Sequence, residues 1–272
     1  FIYFLSFISI RSKKIWVISS YGLFNDNSRY FYLHSLELCD DIKLIWIAKN
    51  REEYDYVKIY GGLVFLRYSF WGLYYCLRAK VYIYSAYISE INYLTSGGVI
   101  TVNLWHGIPL KNIEFDIKES ILAKRFDGSL MSKMNYPYLY KKHNFILSPS
   151  EFVIDYSFLK AFKAKREDFI INMYPRVIDL LERKNKIENK EDQFFVFYAP
   201  TWRDDNSIFL NESTFNMEVM NDFLIDKNIK LFVKLHSNTN FKLNNSFSNI
   251  VISDAKEDQN EYLVKCDCLI TD

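Results

Sequence analysis

Two short segments combine side chains that can do chemistry with residues that end a strand abruptly. Residues 103–111 carry His106 within Trp-His-Gly-Ile-Pro-Leu-Lys, and residues 198–205 carry Arg203 within Tyr-Ala-Pro-Thr-Trp-Arg-Asp-Asp. Each segment begins as an apolar strand, and a buried strand needs neither a histidine nor an arginine. Because open parallel sheets bind ligands beyond the carboxyl ends of their strands, these two segments predict a functional site.

His106 is the first candidate catalytic group. An imidazole titrates near neutral pH and suits a general base. Gly107 is expected to let the backbone turn sharply and a ligand approach closely, and Pro109 to fix the direction in which the loop leaves. We therefore predict a rigid loop that presents His106. A hydrogen-bonded structural histidine, the more common role for a lone His, is the alternative.

Arg203 and Thr201 follow the other strand and predict an anion site. A planar guanidinium binds phosphate oxygens in a bidentate fork, and the Thr201 hydroxyl can add a donor. The adjacent Asp204 and Asp205 could ligate a metal, but neighbouring carboxylates in a loop are more often solvated. We therefore predict no metal.

A third cluster ends the next apolar run. Lys234 and His236 lie two residues apart, which places them on one face of a strand, where two cations would stabilise a leaving diphosphate. An exposed lysine on an edge strand explains the pattern equally well. Asp272 follows one further strand.

The composition narrows the class of protein. The chain has 272 residues, of which 50% are hydrophobic and 25% charged, with a net charge of +1. These values are ordinary for a globular protein and argue against binding nucleic acid by broad electrostatic attraction. The sequence lacks Gly-x-Gly-x-x-Gly, Walker and Gly-x-Ser-x-Gly motifs, and zinc-type Cys spacing, so no cofactor is predicted.

Strands and helices alternate along the chain, which predicts βαβ units with parallel sheets. The predicted strands are 15–19, 44–48, 63–66, 81–85, 99–104, 145–148, 194–198, 230–235, 250–253 and 268–271, and the predicted helices are 28–38, 69–77, 150–162, 213–226 and 259–265. Residues 182–193 are almost wholly polar. We therefore expect an N-terminal domain of residues 1–182, a linker of residues 183–193 and a C-terminal domain of residues 194–272.

The two ends of the sequence suggest a piece of a longer chain, because it begins with Phe1 and stops within an apolar-to-polar transition. Residues 1–10 are apolar and are followed by Arg11, Lys13 and Lys14. Ten residues cannot span a bilayer. We expect a helix that packs on the body or lies at a membrane surface, the alternative being the tail of a signal or membrane segment.

The segments taken together resemble the CDP-glycerol glycerophosphotransferases, which polymerise teichoic acids and related capsular polymers. Residues 105–111 resemble the family's Trp-His-Gly-Thr-Pro-Leu-Lys, with Ile108 in place of Thr, and residues 198–203 match its Tyr-Ala-Pro-Thr-Trp-Arg. Met173 stands where the family has Gly. The other similar segments, in the family's order, are Ser148-Pro149-Ser150-Glu151-Phe152, Tyr174-Pro175-Arg176, Lys234-Leu235-His236 and Leu269-Ile270-Thr271-Asp272.

The resemblance implies an α/β, GT-B-like fold: two Rossmann-like domains whose parallel sheets face a cleft, the C-terminal one truncated here. It implies transfer of a polyol phosphate from a CDP-activated donor to a hydroxyl of a lipid-linked or polymeric acceptor, at the cytoplasmic face of the inner membrane. The implied site consists of the catalytic residues His106 and His236, the donor-binding residues Thr201, Arg203, Lys234 and Asp272, and the acceptor-side loop residues Trp105, Gly107, Pro109 and Lys111.

Two other functions stay open from the sequence. The same fold could serve a nucleotide-sugar glycosyltransferase or epimerase. Alternatively, with Ile108 and Met173 departing from the family pattern, the chain could be an inactive accessory protein that binds polymer.

Overall fold

A computed structural model describes residues 2–186, 192–200, 216–234, 247–253 and 257–271 of the chain. The chain divides into two units, Phe1–Ile178 and Asp179–Asp272. The boundary lies within a helix, Pro175–Asn185, which also contains residues 183–185 of the predicted linker. Residues 187–191 of that linker lie outside the described residues.

The first unit is built on a seven-stranded parallel sheet in the order β3-β2-β1-β4-β5-β6-β7. Parallel strands are covered on both faces, which explains their nearly continuous apolar runs. The strands are β1 Ser12–Ile18, β2 Lys43–Ala48, β3 Leu63–Leu66, β4 Ala79–Tyr84, β5 Ile100–Asn103, β6 Phe145–Ser148 and β7 Phe169–Ile171.

Strand β2 shows how the two faces of this sheet are filled. Trp46 belongs to one buried cluster with Ile18 and Tyr32, whereas its neighbour Ile45 belongs to a second cluster with Tyr82. Successive side chains of a strand point to opposite faces, so β2 supplies both layers. The sheet is therefore held rigidly from both sides, and its strand ends are fixed relative to one another.

Helices connect the strands, and several begin at side-chain caps. Ser69 and Ser150, which the sequence predicted as helix starts, each accept a hydrogen bond from a backbone N–H of the first turn. The helices of the first unit are α1 Ile2–Leu5, α2 Asp26–Leu38, α3 Arg51–Lys58, α4 Phe70–Arg78, α5 Ala123–Phe126, α6 Leu130–Asn135, and α7 Glu151–Val153 and α8 Leu159–Ala161, joined by π-helical Ile154–Phe158. Single 3₁₀ turns cover Ser6–Ile8, Ile88–Glu90, Tyr93–Thr95, Glu114–Asp116, Pro137–Tyr140 and Arg166–Asp168.

The second unit contains a parallel sheet in the order β10-β9-β8-β11, the same order as the first four strands of the larger sheet. Its strands are β8 Phe194–Tyr198, β9 Ile229–Lys234, β10 Ile250–Ser253 and β11 Cys268–Ile270. Its helices are α9 Pro175–Asn185, which crosses the unit boundary, α10 Met217–Asp226 and α11 Gln259–Lys265.

The predicted α/β class with parallel sheets is confirmed, and all ten predicted strands are found with ends shifted by at most three residues. The sequence missed β7 and the helices α3, α5, α6 and α9. Strand β7 has only three residues and half-exposed side chains at the sheet edge. Helix α3 buries only Glu53 and Val57. Two buried positions are too few for a helical apolar period to be visible in the sequence.

The N-terminal segment is helical only briefly. A four-residue α-helix leads into one 3₁₀ turn, and Tyr3 stacks on Tyr93 with ring centroids 4.7 Å apart. The Arg11 guanidinium fastens the segment to the body by donating to backbone carbonyls that include those of Ala79 and Thr95, each at 2.7 Å. Within the described ranges, no helix is long and apolar enough to cross a bilayer.

Candidate active site

The strand order of the larger sheet reverses between β1 and β4, the point at which open parallel sheets form a crevice at their carboxyl edge. The chain leaves β1 toward β2 and β3, then returns to the other side of β1 as β4, so the connections diverge there. Tyr21, which follows β1, donates its backbone N–H to the Ser85 hydroxyl after β4, at 2.9 Å. His106 follows β5, the next strand along, and the backbone of Ser85 acts to raise the pKa of its imidazole.

Trp105 makes the sharp turn that exposes His106. Its φ of 50° lies in the left-handed region, which costs a non-glycine residue about 1–3 kcal/mol. Two buried amides hold it there: Trp105 donates its backbone N–H to Asn103 Oδ1 at 2.9 Å, and its carbonyl accepts from Asn27 Nδ2 at 2.7 Å. The indole packs edge-on against Phe162, with centroids 4.8 Å apart. Backbone strain is thus maintained immediately before the candidate base.

The chain does bend at Gly107, as expected, but the glycine does not supply a left-handed backbone there. The φ of Gly107 is not in the left-handed region, whereas that of Trp105 is. A Cβ added to Gly107 would meet Arg176 Nη2 at 3.5 Å, an ordinary contact distance. Pro109 is buried and Lys111 is exposed. Glycine is therefore not required at position 107 by the backbone.

Residues 174–176 secure the loop from the far side. The Tyr174 hydroxyl donates to the Gly107 carbonyl at 3.2 Å, and the Arg176 backbone N–H donates to Asn27 Oδ1 at 3.3 Å. Arg176 Nη1 also lies 3.4 Å from Asp26 Oδ1. The loop, the start of α2 and the start of α9 therefore form one connected structure.

The surroundings of His106 favour a neutral imidazole. The imidazole of His106 loses part of its contact with water, which lowers its pKa below the ordinary value, and the charge of Arg176 acts in the same direction. Asp26 and the Ser85 backbone oppose this shift. Burial raises the pKa of Asp26, against the opposing effects of Arg176, the Asn27 N–H and His106. A neutral imidazole with a carboxylate nearby can accept a proton and have the resulting charge stabilised.

The smaller sheet has the same reversal of strand order, between β8 and β11. The Ala199 backbone N–H, after β8, donates to the Ile270 carbonyl of β11 at 3.0 Å, and β9 ends at Lys234 on the same edge. Lys234 Nζ donates to the Glu257 carbonyl at 2.6 Å. The other predicted donor-side residues, Thr201, Arg203, His236 and Asp272, lie outside the described residues.

Sequence reasoning missed the residues that position His106. Asp26 and Asn27 were read as preceding a helix that begins at position 28, and Asn103 as the end of a strand. Arg176 was noticed only as part of a motif. The run Asn-Asp-Asn-Ser at 25–28 is rich in helix-capping residue types, which was an available signal. Among the described residues, no cluster of His, Cys, Asp or Glu is arranged to hold a metal ion.

Comparisons with known proteins agree on one family. The family model for CDP-glycerol:poly(glycerophosphate) glycerophosphotransferase matches residues 1–272. The chain is 27% identical to a teichoic acid poly(glycerol phosphate) polymerase of Bacillus spizizenii, covering 96% of this chain and 70% of the relative. It is 25% identical to a teichoic acid glycerol-phosphate transferase of Staphylococcus aureus, covering 92% and 66%. A Staphylococcus epidermidis polymerase is 24% identical and is covered over only 38% of its length, against 97% of this chain.

Solved structures share the fold. The wall teichoic acid polymerase TagF superposes with a TM-score of 0.70 at 22% identity, covering 96% of this chain and 66% of that one. A UDP-GlcNAc 2-epimerase from Neisseria meningitidis, bound to UDP-GlcNAc, superposes with a TM-score of 0.53 at 10% identity, covering 95% and 77%. These likenesses support the predicted GT-B-like fold class.

Proposed function

Because the chain belongs to the CDP-glycerol:poly(glycerophosphate) glycerophosphotransferase family, we propose that it transfers glycerol phosphate from CDP-glycerol to a hydroxyl of a teichoic acid polymer. The observation that carries this proposal is His106: a strained, amide-clamped loop presents it at the crevice of the first sheet, with Asp26 nearby. Transfer to a related polyol-bearing acceptor would use the same chemistry.

In the proposed reaction, His106 accepts the proton of the acceptor hydroxyl while that oxygen attacks the phosphorus that bears glycerol. The new P–O bond forms as the phosphoanhydride P–O bond breaks, and CMP leaves with the electron pair. Asp26 stabilises the imidazolium, and Arg176 holds Asp26 in place. Catalysis of this kind depends mainly on positioning and on stabilisation of charge.

The donor side is proposed to lie in the second unit. Its strands end at a crevice of the same type, and Thr201, Arg203 and His236 follow β8 and β9, while Asp272 follows β11. We assign Thr201, Arg203, Lys234 and His236 to binding the diphosphate, with an N-terminal acceptor domain of residues 1–182, a linker of residues 183–193 and a C-terminal donor domain of residues 194–272. Asp272 would border the same site.

The decisive experiment measures CMP release from CDP-glycerol with acceptor polymer, in the full-length protein that contains this chain. His106→Ala should abolish turnover, and His34→Ala, on the body of α2 away from the site, serves as the matched control. Near-normal turnover of His106→Ala would remove His106 as the base. Tighter binding of UDP-sugars than of CDP-polyols would favour a nucleotide-sugar enzyme, and wild-type protein that binds polymer without turnover would favour an accessory role.

We also propose peripheral binding at the cytoplasmic face of the membrane. Phe4, Ile8 and Ile10 expose 73%, 79% and 78% of their surface beside exposed Lys13 and Lys14. Apolar side chains next to basic ones suit an anionic lipid surface. Phe4→Ser with Ile8→Ser should reduce co-sedimentation with vesicles containing phosphatidylglycerol and leave CMP release from a soluble acceptor unchanged. If the double variant and the wild type sediment equally with these vesicles, the proposed membrane binding is contradicted.

A further inference from the structure

A single buried carboxylate shapes the turn that follows β4. Glu90 is only 3% exposed. Its Oε2 accepts the backbone N–H of Ser85 at 3.0 Å and the Ser85 hydroxyl at 3.3 Å. Its Oε1 accepts the backbone N–H groups of Ala86 at 2.7 Å and Tyr87 at 2.6 Å. Three consecutive N–H groups thus point at one side chain, which determines the path of the turn.

This turn is joined to the His106 loop through Asn103. The Ala86 carbonyl accepts from Asn103 Nδ2 at 3.1 Å, and Asn103 Oδ1 in turn accepts from the N–H of Trp105. The strained residue before His106 therefore depends on where the turn lies.

We propose that Glu90 is a positioning residue for the transfer reaction, because it fixes the turn that holds Asn103 and, through Asn103, the strained Trp105 next to His106. The Ser85 backbone, which the same carboxylate holds, also acts on the His106 imidazole. A displaced turn should therefore move the imidazole relative to the acceptor hydroxyl. The proposal rests on the proposed role of His106 as the base.

A carboxylate suits this position better than an amide. Four donors converge on Glu90, and a carboxylate offers acceptor sites on both oxygens. A glutamine has one acceptor oxygen, so its NH₂ group would face either Ser85 or the N–H groups of Ala86 and Tyr87. Burying a carboxylate is costly unless it is well bonded, and two cations lie nearby. Burial raises the pKa of Glu90 to about 7, while the backbone N–H donors and Lys49 oppose this shift, and Arg67 donates to the Glu90 backbone carbonyl.

Glu53 provides a matched control on the same edge of the sheet. It is 1% exposed and accepts the backbone N–H of Lys49 at 2.7 Å and the indole N–H of Trp46 at 2.9 Å. It has the same chemistry and burial as Glu90, but none of its hydrogen bonds reaches the Ser85 turn. Loss of a buried carboxylate as such would affect both positions alike.

The experiment compares Glu90→Gln with Glu53→Gln in the full-length protein. Glu90→Gln should lower kcat for CMP release about 10- to 100-fold, with KM for CDP-glycerol within about twofold, whereas Glu53→Gln should keep kcat within about twofold. In parallel, ¹⁵N NMR of the histidine rings, assigned by comparison with His106→Ala, should show changed ring chemical shifts for His106 only in Glu90→Gln. Unchanged His106 shifts and an unchanged kcat in folded Glu90→Gln would overturn the proposal.

The two readouts separate this inference from the proposed function. If wild-type protein releases no CMP, the transferase proposal fails, and the NMR comparison still tests whether Glu90 sets the state of His106. If Glu90→Gln does not fold, Glu90→Asp, which keeps the charge on a shorter side chain, replaces it. Folded Glu90→Asp should show the same changes in smaller measure, and a wild-type NMR signal and kcat would overturn the proposal.

Discussion

Asn27 joins three segments of the site, so its loss should be costly. Its side chain is fully buried, and it donates to the Trp105 carbonyl at 2.7 Å and accepts from the Arg176 N–H at 3.3 Å. Asn27→Ala leaves both backbone groups without this partner inside the protein. A buried group that loses its hydrogen bond costs about 1–3 kcal/mol. We expect a total loss of about 3 kcal/mol, and a fall in Tm of about 6–12 °C for a domain of this size.

Ser28 is the matched control, because it is the next residue on α2 and is equally buried. Its hydroxyl has no hydrogen-bond partner among the described residues. Removing an unpaired buried hydroxyl leaves no partner stranded, so Ser28→Ala should be neutral or slightly stabilising. The difference between the two variants then isolates the hydrogen bonds of Asn27 from the general effect of shortening a buried side chain.

Calorimetry and CMP release assays on the full-length protein test this reasoning. At 25 °C, where both variants remain folded, Asn27→Ala should lower kcat at least about tenfold, because a displacement of about 1 Å near the reacting atoms can cost about a hundredfold. Ser28→Ala should match the wild type in both measurements. Equal Tm and kcat for the two variants would refute the idea that Asn27 holds the strained loop.

Three further predictions concern neighbouring residues. Tyr174→Phe loses the hydrogen bond to the Gly107 carbonyl and should lower the free energy of unfolding, measured in urea, by about 1 kcal/mol. An unchanged urea midpoint would contradict that contact. Gly107→Ala should change Tm little, since its Cβ makes only an ordinary contact, so a large loss of stability would refute the assignment of the turn to Trp105. Burial raises the pKa of Glu114 to about 7, although its bond from Tyr87 opposes this. Its contribution to stability is therefore complete below pH 4.5 and lost as pH rises to 7, a span of about 3 kcal/mol. Glu114→Gln should flatten the pH dependence of the unfolding free energy between pH 5 and 8, and an undiminished slope would contradict this cause.

The strands were predictable because parallel strands buried on both faces require apolar runs, and runs such as 44–48 are visible in one dimension. The helix that begins after Ser150 was found from its capping serine and from the helical spacing of Phe152, Tyr156 and Leu159. Helix α9 was missed, although Pro175 at its start is a common first helical residue, because the polar stretch after position 182 was read as a linker. Local composition could not show that the helix continues into that stretch.

The candidate base was visible from residue type and its place after a strand, but its support was not. Asn27 and Asn103 lie 76 positions apart in the chain and hold the two peptide groups that flank the Cα of Trp105. Glu90 looks like an ordinary surface residue in the sequence. In the fold it is buried, and its carboxylate accepts four hydrogen bonds.

The sequence by itself determined the α/β class, the two parallel sheets and the position of His106 after a strand, because apolar periodicity and residue type are local properties. Only the tertiary structure decided what surrounds His106. Hydrogen bonds and charge interactions act through space. Because the chain places β4 beside β1 after forming β2 and β3, residues that are far apart in sequence meet at this edge of the sheet. The same physics placed the left-handed backbone at Trp105 instead of Gly107, since packing and hydrogen bonds with two side-chain amides can hold a strained tryptophan where residue preference alone favours glycine.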